Sequence, residues 1–325
     1  MKIEEFQVLM EELEKLTPRQ REFLEKHLEK IEQTQAVNTL IESRASTIPT
    51  CPKCGHNQIA RWGLASGLQR YRCSTCKITF NALTGTPLAR LRHKDKWLEY
   101  AQQMTEGKSI RKSAKACDVH RNTSFRWRHR FLALSNKHKA TSLVGIAEAD
   151  ETFFLKSFKG KKQGMTRVPR KRGGKASKRG LSDEQVPVLI CRDRNGSTAD
   201  FILKKADKVS IGAALKSIMA SDAVLCTDGS KALGAAARKI GIVHRSINLA
   251  AGVRVVAKVY HVQNVNAYDS RLKEWMRRFH GIATRYLANY LGWRRMIDQA
   301  RDSLSPRAVV LAALGMHHDQ QLRVT

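Results

Sequence analysis

The first hydrophobic pattern of the chain is helical. Between residues 3 and 32, apolar side chains recur every three or four positions, which predicts amphipathic helices. The pattern breaks at LTPRQ, where Thr17 can cap a helix and Pro18 suits its first position. We therefore predict a helical hairpin with an acidic face. Self-association, packing on the rest of the protein and a plain structural role all remain open for it.

A second helical pattern lies between residues 95 and 132, where three helices are predicted. In SIRKSAKACDVHRNTSFRWRHRFL, Ser109 can cap one helix and Asn122 or Thr123 the next. The apolar residues expected to be buried are Ile110, Ala114, Val119, Phe125 and Leu132. The residues expected to face outward on the last helix are Arg121, Asn122, Ser124, Arg126 and Arg128. Such a helix suits the major groove of DNA, so a helix-turn-helix is favoured over a helical pair with a solvated basic face.

From about residue 141 the pattern changes to strands. LVGIAEADETFF predicts one strand, QVPVLICRDRNGSTADFIL a hairpin, and DAVLCTDGS a buried strand, while GIVHRSIN and VRVVAKVYHV predict further short strands. Helices are predicted within residues 206–220, 232–240, 264–297 and 306–316. A hairpin, then alternating strands and helices, then helices is an α/β order of the ribonuclease-H-like type.

The charge of the chain narrows the class of partner. Lys and Arg number 59 against 29 Asp and Glu, a formal charge of +30, and residues 46–325 hold 52 of the bases but only 19 of the acids. Such a surplus repels itself unless a polyanion neutralises it, which predicts binding to double-stranded DNA. No apolar run approaches a membrane span, and the first residues do not resemble a secretion signal. A cytoplasmic, nucleoid-associated protein without a membrane partner is therefore expected.

Four cysteines form two C-x2-C motifs, Cys51 with Cys54 and Cys73 with Cys76, eighteen residues apart. Two such motifs can surround a zinc ion with four thiolates, and four protein ligands leave no open position, so the predicted Zn²⁺ is structural. The remaining cysteines lie among apolar neighbours and are expected in the core. They are Cys117, Cys191 and Cys226.

A strongly basic segment, KSFKGKKQGMTRVPRKRGGKASKRG, follows the first core strand. It contains eleven basic residues and no acid, with too little apolar surface to fold alone. We predict that it contacts DNA phosphates, although a solvated linker is the alternative. The residues named for this role are Lys161, Lys162, Arg170, Lys171 and Arg172.

Two acidic residues end predicted strands of the core, Asp150 and Asp228. In a ribonuclease-H-like sheet such strand ends lie side by side, so the two carboxylates can share two Mg²⁺ or Mn²⁺ ions for phosphoryl transfer. Glu148 and Glu151 flank Asp150 and are expected on the opposite face of the strand, where they neutralise nearby bases. His261 either orients a ligand or is a partly buried structural histidine.

These motifs together resemble the ISXO-type insertion-sequence transposases, which join a zinc ribbon to a ribonuclease-H-like core. The similar stretches span residues 50–297 and include the two cysteine motifs, LTGTPLARLR, FRWRHRFL, EADETFF, CTDGS, HVQNVNAYDSRLK and GIATRYLANYLGWRR. The family's last motif runs from a His, through Glu or Asn five positions later, to a Lys seven further. A subgroup has Asn there and is called the DDNK type. The resemblance implies a catalytic set of Asp150, Asp228, Asn266 and Lys273.

The third metal ligand is the open point of this set. On a helix Asn266, Asp269 and Lys273 share one face, so Asp269 is a rival to the amide of Asn266. With two carboxylates and one amide the site carries a charge of −2, where three carboxylates would carry −3. Binding of the second metal ion is therefore expected to depend more on the DNA phosphate. Lys273 is expected to hold that phosphate or to stabilise charge in the transition state.

The predicted organisation is a multidomain α/β protein. It has an N-terminal helical segment (1–45), a zinc ribbon (46–85), a helix-turn-helix domain (86–140), a ribonuclease-H-like core (141–300, with a basic insertion at 156–182) and a C-terminal helix and tail (301–325). The predicted function is transposition of an insertion sequence: binding of its terminal inverted repeats, strand cleavage and strand transfer, by a homodimer or higher oligomer. The alternatives are a catalytically inactive DNA-binding regulator and a metal-dependent structure-selective nuclease.

Overall fold

The computed structural model describes residues 2–45, 50–160, 163, 165, 168, 170, 174–178, 182–300 and 304–316. The chain forms two compact units, one of Met1–Phe131 with Ser305–Thr325 and the other of Leu132–Leu304. Of the residues assigned from sequence to the C-terminal helix and tail, residues 305–316 are described within the first unit. Within that unit, helix α10 (Pro306–Ala313) packs against α3 (Trp97–Thr105).

The N-terminal segment forms two consecutive helices, α1 (Ile3–Glu14) and α2 (Pro18–Ser43), which do not pack against each other as the predicted hairpin would. Thr17 caps α2 by accepting a hydrogen bond from the backbone N–H of Gln20 at 3.3 Å. No residue of α1 is buried, and α2, longer than the pattern predicts, buries only residues near its C-terminal end. This acidic segment thus leaves most of its apolar side chains exposed.

A three-stranded antiparallel sheet follows, with strands β1 (Ile59–Ala65), β2 (Leu68–Cys73) and β3 (Thr79–Phe80). The spacer between the two cysteine motifs forms the β1–β2 hairpin. The C-terminal end of α2 contacts this sheet, because the backbone N–H of Gln69 donates to Glu42 Oε1 at 2.8 Å.

Three helices complete the first unit before α10: α3, α4 (Ile110–Ala116) and α5 (Arg121–Phe131). Ser109 caps α4 as predicted, with its hydroxyl accepting from the N–H of Lys112. At the start of α5 the cap is His120, whose Nδ1 accepts from the N–H of Asn122 at 3.2 Å. The capping predicted for Asn122 or Thr123 is replaced by this bond.

The buried face of α5 differs from the predicted one. Ser124 and Arg128 are fully buried, whereas Phe125 is 40% exposed. The helix buries Trp127 and Phe131 together with these two polar residues, and this i, i+3, i+4, i+7 stripe places Phe125 outside it. The prediction that Ser124 and Arg128 face outward is wrong.

The second unit contains a five-stranded sheet of mixed direction. Its strands are β4 (Ile146–Leu155), β5 (Gln185–Asp193), β6 (Thr198–Ile202), β7 (Val224–Thr227) and β8 (Val243–Ser246). Their order in the sheet is β6-β5-β4-β7-β8. The first three are antiparallel neighbours, and β7 and β8 continue the sheet in parallel.

Two apolar clusters cover the two faces of this sheet. One packs α6 (Lys208–Lys216) and α7 (Lys231–Ile240) against small residues such as Ala147 and Ala149. The other packs α8 (Gln263–Arg277) and α9 (Leu287–Ala300) against β5 and β7. Cys191 and Cys226 are buried in these clusters, and Cys117 is buried in the first unit, as predicted.

The strand predicted for VRVVAKVYHV is absent from the described residues. Only one isolated bridge forms there, between Val256 and Tyr260, around a turn in which Ala257 and Lys258 have positive φ angles. Val253, Val255 and Val259 remain 38–49% exposed. β-Branched residues favour a strand where a neighbouring strand covers them, and among the described residues no strand pairs with this segment.

Candidate active site

Asp150 and Asp228 occupy matching positions on adjacent strands. In the parallel β4–β7 pair, Ala149 lies opposite Thr227, and each aspartate is the next residue in the chain, Asp150 inside β4 and Asp228 just after β7. The prediction that Asp150 ends its strand is wrong, because β4 continues to Leu155 by pairing with β5. Neighbouring strands are about 4.8 Å apart, so the register alone brings the two side chains together. Asp228 directly follows β7, and one of its oxygens, Oδ1, accepts from the N–H of Ser230 at 2.9 Å.

A third carboxylate joins the pair. One oxygen from each of Asp150, Glu151 and Asp228 lies within 4.8 Å of the others. Glu151 also accepts a 3.3 Å hydrogen bond from the hydroxyl of Ser230, the N-cap of α7. Strand alternation does turn Glu151 toward the α7 side, as predicted, but its side chain still reaches the two aspartates.

The prediction for Glu148 was wrong in its geometry. It lies two residues before Asp150, and side chains two positions apart in a strand share a face. Glu148 is fully buried and forms an ion pair with Arg194, so it does neutralise a base. The even spacing of Glu148 and Asp150 was visible in the sequence and is the signal that could have placed both on one face.

Mutual repulsion is built into the carboxylate cluster. Burial and the negative charge of Asp228 raise the pKa of Asp150 to about 6. Burial and the charges of Asp150 and Asp228 raise the pKa of Glu151 to about 7. Oxygen ligands crowded in this way are what a divalent cation requires, because its charge offsets their repulsion. The residues therefore fit a site for Mg²⁺ or Mn²⁺.

Helix α8 presents the last predicted site residues. Asn266 is half-buried in its first turn, and the exposed Lys273 places Nζ 2.6 Å from Oδ2 of the buried Asp269. The other oxygen of Asp269, Oδ1, is buried without a hydrogen-bond partner among the described residues. Asp269 raises and Lys273 lowers the pKa of Asp150. Both side chains thus act electrostatically on the carboxylate cluster.

The four cysteines of the first unit form a second cluster. Their sulfur atoms all lie within 4.8 Å of one another, with Cys51–Cys76 and Cys54–Cys73 Sγ distances of 3.6 Å. Tetrahedral zinc with Zn–S bonds of about 2.3 Å holds its sulfurs roughly 3.8 Å apart. The backbone N–H of Cys76 lowers the pKa of Cys73 to about 6. The cluster is therefore compatible with zinc.

The residues predicted to bind DNA separate into four groups. Arg121, Asn122 and Arg126 are exposed on α5, whereas Ser124 and Arg128 are buried as described above. Lys161, Lys162, Lys171 and Arg172 lie outside the described residues. Arg170 is described, and it forms a 3.0 Å ion pair with Glu184.

Within the described part of the chain, no helix is both long enough and apolar enough to cross a membrane.

Comparison with known proteins agrees with these features. Residues 142–294 match the family model described as the ISXO2-like transposase domain, and this stretch contains all of Asp150, Asp228, Asn266 and Lys273. The chain is also similar to a protein of Halobacterium salinarum described as an uncharacterized protein in transposable element ISH50. The two are 27% identical over 268 residues, which cover 80% of this chain and 89% of the relative. Residues 142–294 are therefore similar to the ISXO2-like transposase domain, the family that the sequence resemblance predicts.

Proposed function

We propose that this protein is a DNA transposase of an insertion sequence that cuts the ends of its element and joins them to target DNA. The observation that carries the proposal is the proximity of Asp150 and Asp228 where the pairing of two adjacent parallel strands stops, inside a transposase-family domain. The order of the five strands supports a ribonuclease-H-like core, since an antiparallel trio extended by two parallel strands is the arrangement expected of that fold.

Asp150, Asp228 and Asn266 would hold two Mg²⁺ or Mn²⁺ ions in this core. When bound, such ions activate the attacking oxygen and neutralise the leaving one in phosphoryl transfer. Asp150 and Asp228 contribute carboxylates, and Asn266 contributes a neutral amide oxygen. Glu151 adds a third negative charge beside the two aspartates. With the neutral amide at position 266, the site therefore carries more negative charge than the −2 expected from two aspartates alone.

Lys273 would act on the DNA and not on the metals. Its side chain is 49% exposed, and its ammonium group is held by Asp269 at 2.6 Å. From there it can bind a phosphate oxygen and stabilise the charge that develops as the phosphodiester reacts. Asp269 would then orient Lys273. Because Oδ1 of Asp269 has no hydrogen-bond partner among the described residues, Asp269 also remains a candidate for the third metal ligand.

Recognition of the element ends would fall to the first unit. The four thiolates would hold a structural Zn²⁺, and α4 with α5 would form a helix-turn-helix that presents Arg121, Asn122 and Arg126 to the major groove. The eleven bases of residues 156–180 would hold DNA phosphates near the core. Because two ends must be processed together, we expect at least a homodimer on DNA.

A strand-joining assay with Mg²⁺ or Mn²⁺ and a duplex that carries an element end tests the proposal. Joined products are expected from the wild type, and Asp228→Ala should lower joining at least about 100-fold while end binding stays intact. Cleavage without joining would instead indicate a structure-selective nuclease. End binding without cleavage by the wild type would indicate an inactive regulator.

A further inference from the structure

We propose that Glu148 is a positioning residue that fixes helix α8, and with it Asn266, against the strand that carries Asp150. The inference rests on the proposed function, because it concerns how the two sides of the proposed metal site are held together. Glu148 lies in β4, two residues before Asp150, and is 0% exposed.

Helix α8 lacks a cap of its own. Its N-cap residue is Val262, which has no side-chain hydrogen bond to offer, and its first turn contains no acidic residue. The first backbone N–H groups of a helix need acceptors from outside the helix. Glu148 provides one from the sheet, because its Oε2 accepts from the N–H of Val265 at 2.9 Å. A carboxylate in this position also interacts favourably with the helix dipole.

His261 supplies a second acceptor at the same helix end. Its Nδ1 accepts from the N–H of Gln263 at 3.2 Å and lies 3.4 Å from Glu148 Oε1. Burial and the neighbouring charge of Arg194 lower the pKa of His261, which favours the neutral imidazole that this role requires. The histidine that opens the HVQNVNAYDSRLK motif thus works with Glu148 at the start of α8.

Arg194 makes the buried charge of Glu148 tolerable. Its Nη1 pairs with Glu148 Oε1, while its Nη2 donates to the carbonyl of Val259 at 2.9 Å. A buried carboxylate without such a partner would cost several kcal/mol. The cluster of Glu148, Arg194 and His261 joins three parts of the second unit: β4, the turn after β5 and the segment that enters α8.

Glu148 connects the cluster of Glu148, Arg194 and His261 to the proposed metal site. Glu148 lies two positions before Asp150 in the same strand, a distance of roughly 6.7 Å along the backbone. On the helix, the residue that Glu148 caps, Val265, directly precedes Asn266. The spacing of two proposed metal ligands on different elements is therefore set by one hydrogen-bonded carboxylate between them.

Glu148→Gln tests the inference with little change of volume. A glutamine has one acceptor oxygen for two donors, so it must give up Val265 or place its amide N–H₂ against Arg194. Asp200→Asn is the matched control, because Asp200 is also buried in the sheet and ion-paired, to the buried Arg295 on α9. Both variants are expected to lower thermal stability.

Binding of Mn²⁺, followed by electron paramagnetic resonance on the full chain, separates positioning from stability. Binding of Mn²⁺ at other sites is measured with the Asp228→Ala variant and subtracted. We expect Glu148→Gln to weaken binding about 10-fold and to speed hydrogen exchange at the start of α8, while Asp200→Asn leaves binding within about 2-fold. In Glu148→Gln with Arg194→Gln, the amide of residue 148 has a neutral partner, and affinity should recover to within about 3-fold of the wild type.

Unchanged Mn²⁺ affinity and unchanged exchange in folded Glu148→Gln would overturn the inference. Equal weakening by Asp200→Asn would also overturn it, because the effect would then reflect stability alone. If Glu148→Gln does not fold, His261→Ala, which removes a partly exposed side chain, should still weaken Mn²⁺ binding, and wild-type affinity there would overturn the inference. Absence of Asp228-dependent Mn²⁺ binding in the wild type would contradict the proposed function instead.

Discussion

Asp150 and Asp228 lie one position beyond the last paired residues of two parallel strands, with carboxylate oxygens within 4.8 Å of each other. Seventy-seven residues separate them in sequence, and the register of the sheet alone makes them neighbours. Glu151 completes the cluster from the other side of the same strand. This arrangement has consequences for proton binding, ligand choice and DNA recognition that can each be measured.

Metal affinity should depend on pH. The pKa of Asp150 is raised to about 6 and that of Glu151 to about 7, so both are partly protonated below neutral pH and protons compete with the cation. Mn²⁺ affinity, measured by calorimetry, should therefore increase at least about 10-fold between pH 5.5 and 7.5. An affinity that is constant over this interval, after subtraction of Asp228→Ala, would contradict the clustering of these carboxylates.

The same raised pKa values affect stability without metal. The pKa of such a carboxyl is higher in the folded than in the unfolded protein. As the pH increases from the unfolded-state pKa to the folded-state pKa, the free energy of unfolding decreases, because ionisation is less favourable in the folded protein. Asp150→Asn should therefore reduce the loss of stability of the metal-free protein between pH 4 and 7, as followed by thermal unfolding. An identical pH dependence in wild type and variant would speak against the raised pKa.

The third ligand can be identified by two substitutions on α8. If Asn266 supplies an oxygen to the metal, Asn266→Asp should keep strand joining, and Asn266→Ala should lower it about 100-fold. Asp269→Asn should then lower joining by less than Asn266→Ala, because it disturbs only the contact to Lys273. The reverse order of the two effects would assign the ligand to Asp269, whose buried Oδ1 has no hydrogen-bond partner among the described residues.

Removal of zinc should act on DNA binding and not on the core. Cys73 is fully buried at the end of β2, and its loss opens the four-thiol cluster. We expect Cys73→Ser to release zinc, unfold the three-stranded sheet and weaken binding to element ends about 10-fold or more. Mn²⁺ binding at the core should persist. Wild-type end binding by a zinc-free, unfolded ribbon would exclude a role for this sheet in recognition.

Two arginines of α5, two residues apart, should behave differently on substitution. Arg126 is exposed, so Arg126→Ala should weaken DNA binding and reduce its dependence on salt by about one counterion, with little change in stability. Arg128 is buried and donates to the carbonyl of Lys108 and the hydroxyl of Ser113. Arg128→Ala should lower the free energy of unfolding by about 2–4 kcal/mol. Equal stability losses would contradict the burial of α5.

Local patterns were sufficient to predict much of this fold. The apolar run before Asp228, the hairpin of β5 and β6 and the capping of α2 and α4 all depend on neighbouring residues, and the structure has them where the sequence places them. The proximity of Asp150 and Asp228 follows once parallel strands are assumed. These features needed no knowledge of distant contacts.

Other features depend on contacts that no local pattern reveals. The packing of α10 in the first unit joins residues that are far apart in sequence. The buried face of α5 is set by the residues that pack on Trp127, whereas the local pattern favours burial of the more apolar Phe125. VRVVAKVYHV has strand propensity but no partner strand. The face of Glu148 is a different case, because its spacing of two from Asp150 in one strand is a local pattern that puts both side chains on the same face.

The location of Mn²⁺ in crystals of the full chain tests the central claim most directly, because its anomalous scattering identifies the ion without reference to activity. We predict an anomalous peak about 2.2 Å from carboxylate oxygens of both Asp150 and Asp228, and the loss of that peak in Asp228→Ala. A peak that contacts neither aspartate, or none at a Mn²⁺ concentration that supports strand joining, would contradict the assignment of this cluster as the metal site.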